Sequence, residues 1–128
     1  PDREHRAIAG LSMGANQTMR IIMNNMDMFS AYGGFSGTAN YPSSDDIDPT
    51  TFLDGKFSNG QEVNQKIKVF FLSLGTKEPN PFPASVGAFR KMLEKQGIKY
   101  VYYESPGTAH EWQTWRRSLY QFAQLIFK

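Results

Sequence analysis

The 128-residue chain contains no cysteine. This excludes disulfide cross-links, thiolate metal sites and a cysteine nucleophile, and it leaves the redox compartment unmarked. An excess of one charge is also lacking. Fourteen Lys and Arg against twelve Asp and Glu give a formal net charge of +2. With no Lys/Arg cluster and no aromatic–basic stripe, nucleic acid is not expected as a partner. No apolar run approaches the roughly 20 residues that cross a bilayer, so no membrane partner is expected either. Nothing resembling a signal peptide opens the chain, and because Pro1 is followed almost at once by a strand-like run, the start is read as a cut. Histidine is scarce, with only His5 and His110. Imidazole chemistry therefore has two candidate positions, and neither a metal nor a cofactor is expected.

What remains is enough for one domain spanning residues 1–128, with 40% hydrophobic and 14% aromatic residues to build a core. The most informative segment is Gly10-Leu11-Ser12-Met13-Gly14. It follows the short apolar run Ala7–Leu11 and precedes Met19, Ile22, Met23 and Met26 at helical spacing, which predicts strand, sharp turn and helix in that order. This is the setting of a nucleophile elbow, in which the backbone presents a serine hydroxyl to a neighbouring base. Side chains at Gly10 or Gly14 are expected to crowd the backbone there. The methionines are read as core packing of a helix on a sheet.

Further on, residues 31–37 predict a second strand thinned by glycines, and residues 38–66 a long polar excursion with helical turns near 51–53 and 61–65. Residues 67–74 form the clearest strand, β-branched and aromatic. A helix is expected over 85–96 with Val86, Phe89 and Leu93 inward and Gly97 beyond its end, then a fourth strand over 99–104. The final helix, 111–127, is expected to bury Trp115, Leu119, Phe122 and Ile126. Such alternation predicts an α/β fold with a mostly parallel sheet of about four strands and flanking helices.

In a parallel sheet, chemistry gathers at the strands' C-terminal ends. Ser12 follows the first strand, Glu78 the third and His110 the fourth. Serine, acid, histidine is the chain order of an α/β-hydrolase. Imidazole can accept the serine proton and return it to a leaving alcohol, while a carboxylate holds its tautomer. His5, among Asp2, Arg3, Glu4 and Arg6, is read as solvated or structural. For the carboxylate, Asp45, Asp46, Asp48 and Glu111 compete with Glu78. Trp112 is a candidate wall of a substrate pocket, and Arg116 and Arg117 are read as a solvated or ion-paired face.

Three strings, Gly10–Gly14, Gly75-Thr76-Lys77-Glu78-Pro79 and Ser105-Pro106-Gly107-Thr108-Ala109-His110-Glu111-Trp112-Gln113-Thr114-Trp115-Arg116-Arg117, together resemble the family 1 carbohydrate esterases, the esterase D-like group of feruloyl and acetyl-xylan esterases. The resemblance implies the C-terminal half of an α/β-hydrolase domain, with Ser12 as nucleophile, His110 as base, Glu78 as acid and the Met13 amide as an oxyanion donor. Many members carry aspartate at the position of Glu78 and a further glycine at that of Ala15. Implied substrates are feruloyl or acetyl esters on plant-wall xylan, acted on after secretion to the periplasm or cell exterior. The resemblance also places earlier strands and a second oxyanion donor before Pro1. Two expectations follow: weak activity of the isolated chain, and self-association or pairing with a complementary N-terminal segment.

Overall fold

The structure, a computed structural model, describes residues 2–38 and 46–128. Pro42, Ser43, Ser44 and Asp45 of the polar excursion lie outside the described residues. Four strands, β1 (Ala7–Leu11), β2 (Ala31–Phe35), β3 (Val69–Gly75) and β4 (Val101–Ser105), form one parallel sheet in sequential order. The register sets Leu11 beside Phe35, Phe35 beside Ser73 and Gly75 beside Ser105, so all four strands end at one edge.

The strand pleat sorts the core into two layers. Phe70 and Leu72 of β3 and Tyr32 of β2 face α1 (Met13–Met23), α2 (Gly60–Lys66) and α3 (Phe82–Lys95). There they join Met19, Ile22, Met23, Phe57, Val63, Phe89 and Leu93. The predicted methionine stripe is part of this layer. Phe71 and Phe35 turn to the opposite face and meet Phe122 of α4 (Trp112–Ala123). Burial pushes the Tyr32 phenol well above its ordinary range, and its hydroxyl donates to the Ala15 carbonyl at 3.1 Å.

Helix limits differ from expectation for local reasons. The third helix begins at Phe82 rather than 85, since Pro83 sits in its first turn, where the missing N–H is not needed. The last helix stops at Ala123, and Phe127 beyond it has a left-handed φ of 62° that cannot continue a right-handed helix. Its buried stripe is Thr114, Ser118 and Phe122. Leu119, expected inside, is 55% exposed because the helix seats on its small hydroxyl residues and turns the leucine outward. No helix among the described residues is long and apolar enough to cross a membrane.

Candidate active site

β1 ends at Leu11 and α1 begins at Met13, so Ser12 alone makes the turn, with φ 54° and ψ −121°. A positive φ is costly for a residue with a Cβ and persists only where its surroundings enforce it. Here the Ser12 N–H donates to the Phe35 carbonyl at 2.8 Å, and the Ser12 carbonyl accepts from Ala15 N–H at 3.0 Å. A Cβ on Gly10 would lie 2.2 Å from the Gly14 carbonyl oxygen, so glycine is required for that approach. The expectation for Gly14 is corrected: a Cβ there meets nothing within 4 Å, because it would project from the first turn of α1 into open space.

The loops after β3 and β4 bring two further side chains to Ser12. His110 Nε2 lies 2.9 Å from Ser12 Oγ, and His110 Nδ1 lies 2.7 Å from Glu78 Oε1. The Glu78 side chain is fully buried, yet its other oxygen, Oε2, accepts from Ser36 Oγ and from the Gly75 N–H, each at 2.6 Å. A buried carboxylate with three partners escapes the cost of unpaired burial. The competing carboxylates are engaged elsewhere: Asp46 with Lys91 and Lys95, Asp48 with Thr50, and Glu111 with the Ala109 N–H. Hydrogen bonding to Lys91 holds the Asp46 carboxyl below its ordinary value. His5 pairs with Asp2 at 2.7 Å, remote in the fold from Ser12 and its partners.

The His110 loop is fastened by hydroxyl groups. Thr108 Oγ1 lies 2.6 Å from Ser105 Oγ and accepts from Thr114 Oγ1 at 2.7 Å. Arg117, read from sequence as a solvated or ion-paired residue, instead donates to Ser105 Oγ at 3.1 Å and to the Pro106 carbonyl at 3.0 Å. The imidazole stacks on Phe82 at 3.8 Å between centroids and meets the Trp115 ring edge-on at 5.0 Å. Phe82 carries no sequence signal for this contact, because α3 is brought to His110 only by the fold. Ser36 does carry one. It follows β2, so the rule that singled out Ser12, Glu78 and His110 applies equally to it.

The Met13 N–H opens α1, where helix geometry supplies no intrahelical acceptor. At the end of β1 lies a groove of about 650 Å³, lined by Leu11, Phe35, Trp112, Gln113, Trp115, Arg116 and Leu119, with neither Ser12 nor His110 in its lining. Trp112 is 74% exposed and packs edge-on against Trp115. Trp115, expected as core, is half-buried and forms the wall between this groove and His110. Among the described residues no three His, Asp or Glu side chains group as a metal site.

A parallel sheet with a serine on a strained strand-to-helix turn, followed in chain order by an acid and a histidine on later strand ends, has the α/β-hydrolase fold. No protein-family profile matches the chain. It is 34% identical over 127 residues to an endo-1,4-beta-xylanase/feruloyl esterase from Xylanibacter ruminicola, covering 99% of this chain and 15% of that protein. Among solved structures it is similar to the feruloyl esterase module from Clostridium thermocellum complexed with sinapinate, at 18% identity and a TM-score of 0.78, covering 98% of this chain and 46% of that one. A ferulic acid esterase from Anaeromyces mucronatus in complex with ferulic acid matches at 20% identity and a TM-score of 0.73, with the same coverage. These matches bear out the resemblance to the family 1 carbohydrate esterases. The chain spans about half the length of the solved esterases and a small part of the xylanase/esterase.

Proposed function

We propose that the chain carries the catalytic constellation of a serine carboxylic-ester hydrolase acting on feruloyl or acetyl esters of plant-wall polysaccharide. The observation that carries this reading is the continuous line from Ser12 Oγ through His110 to Glu78, at 2.9 and 2.7 Å. In this reading Ser12 Oγ attacks the ester carbonyl as its proton passes to His110 Nε2, and the resulting oxyanion accepts from the Met13 N–H. The alcohol leaves with the proton from His110. Water then attacks the acyl-serine, gives its proton to Nε2, and releases the acid as Ser12 is restored. Glu78 stabilises the transient imidazolium without taking its proton.

The xylanase/feruloyl esterase relative and the two feruloyl esterase structures support the substrate class. An aromatic acyl group suits the groove at the end of β1, which Trp112 and Trp115 line. Xylan-linked esters place the site of action outside the cytoplasm, in the periplasm or beyond. Met13 N–H is the one oxyanion donor assigned among the described residues, and since loss of one such donor costs about 2.7–4 kcal/mol in a serine protease, slow turnover by this chain alone is part of the proposal. Partnership with a second copy, or with a complementary N-terminal segment, is part of the same proposal.

An active-site-directed fluorophosphonate tests the reading. Modification is expected at Ser12, absent in Ser12→Ala and lost in His110→Ala. No modification at Ser12 when the chain is paired with a complementary N-terminal segment would overturn the enzyme in favour of a binding domain.

A further inference from the structure

Ser36 is fully buried, in a left-handed backbone conformation with φ 57°, and the nucleophile–base–acid mechanism assigns it nothing. Its hydroxyl has two partners. It lies 3.0 Å from Trp115 Nε1 and 2.6 Å from Glu78 Oε2. An indole N–H can only donate, so Ser36 Oγ must accept from Trp115, and its single proton is then directed to Glu78. Oε2 of Glu78 also receives the Gly75 N–H at 2.6 Å. As a carboxylate Glu78 can only accept, so with Ser36 and Gly75 on Oε2 its Oε1 accepts from His110 Nδ1–H. The lone pair of His110 Nε2 therefore faces Ser12 Oγ, the orientation a general base needs.

The indole fixes the direction of the Ser36 hydroxyl, and the Glu78 carboxylate, which can only accept, fixes that of His110 Nδ1. We propose that Ser36 is a positioning residue: it fixes the Glu78 carboxylate and through it the His110 tautomer, and it ties the groove wall at Trp115 to the triad. An occupant pressing on Trp115 would act on the same indole that orients the Ser36 hydroxyl. The catalytic consequence rests on the esterase reading, whereas the tautomer does not.

The experiment uses the full chain with ¹⁵N-labelled histidine, recorded above the ordinary imidazole titration range. Only His5 and His110 contribute signals. His110 is expected as the Nδ1–H tautomer with a downfield, slowly exchanging Nδ1 proton. Ser36→Ala should convert it to a mixture with the Nε2–H form and broaden that proton. Ser36→Gly, which suits the left-handed backbone, should do the same without added strain. Trp115→Phe should act in the same direction but more weakly, and should add nothing in the Ser36→Gly background. The rate of Ser12 modification should fall about tenfold in Ser36→Gly, in line with loss of a hydrogen bond to a charged group. For a small ester this should appear in kcat with KM unchanged, and circular dichroism should be native. Unchanged His110 signals in folded Ser36→Gly would overturn the proposal. So would an additive effect of Trp115→Phe on the tautomer. A chain whose Ser12 is never modified but whose His110 tautomer responds as described would refute the esterase reading and uphold the role of Ser36.

Discussion

Ser12 and Ser36 both hold left-handed backbone conformations, a state that costs on the order of 1–3 kcal/mol for residues with a side chain. Both stand one residue past a strand, and both place a hydroxyl on the same hydrogen-bonded line. Strain at these two positions is retained because the Ser12 and Ser36 N–H groups are each paired to the neighbouring strand, to Phe35 and Ser73 respectively. Glu78 is the residue on which this line converges. Glu78→Gln preserves the shape but offers an amide that can donate to His110 Nδ1, which would favour the wrong tautomer. Turnover of an activated ester, or Ser12 modification, should fall about 10³- to 10⁴-fold while the thermal midpoint changes little. A fall below tenfold, with the fold intact, would show that Glu78 does not orient the base.

At the scale of elements, the sheet register does most of the positioning. Parallel pairing with all four strands ending together turns residues 32 to 98 positions apart in sequence into hydrogen-bonding neighbours. α3 and β4 form the other seam of note, where the Arg90 guanidinium lies 3.7 Å over the Tyr102 ring and Arg90 Nε donates to Tyr100 Oη at 3.2 Å. Burial, assisted by the Glu104 charge and opposed by Arg90, pushes the Tyr102 phenol up to about 12. In the unfolded chain the phenol ionises near 10, so the unfolded state loses its proton first and stability falls as pH rises from about 10 to about 12. Tyr32 is shifted in the same direction by burial and adds to the loss. Denaturation midpoints measured across this range should decline, and the decline should be shallower in Tyr102→Phe. An identical slope in that variant would rule Tyr102 out as a contributor.

For the whole molecule, the consequential feature is the side of the sheet at β1. Among the described residues β1 pairs only with β2, and the groove beside it leaves Trp112 and Leu119 largely exposed. Unpaired strand edges next to apolar surface recruit further chain. Light scattering at micromolar concentration should therefore give a mass above that of one chain, and Leu119→Glu should shift the population toward monomer. A monodisperse monomer of the unsubstituted chain would exclude self-association by this face.

The strand–turn–helix around Ser12, the inward faces of α1 and α3, and the ordering of serine, acid and histidine were legible in the sequence. Each depends on local spacing: an apolar run of strand length, a helical stripe, or a residue just past a strand. Three things were not legible. The burial of Thr114 and Ser118 in place of Leu119 depends on how closely α4 approaches the sheet, which hydropathy does not encode. The stacking of Phe82 on His110 depends on α3 starting a turn early at a proline. The bonds that Ser36 and Gly75 give to Glu78 depend on the loop after β3 turning its carboxylate inward, which spacing along the chain does not encode. The sequence by itself determined which elements form and at which ends their polar residues lie, because periodicity and turn chemistry are local. Only the tertiary structure decided which hydroxyl, indole and carboxylate meet, because a hydrogen-bonded line is fixed by distances of a few ångströms between residues far apart in the chain.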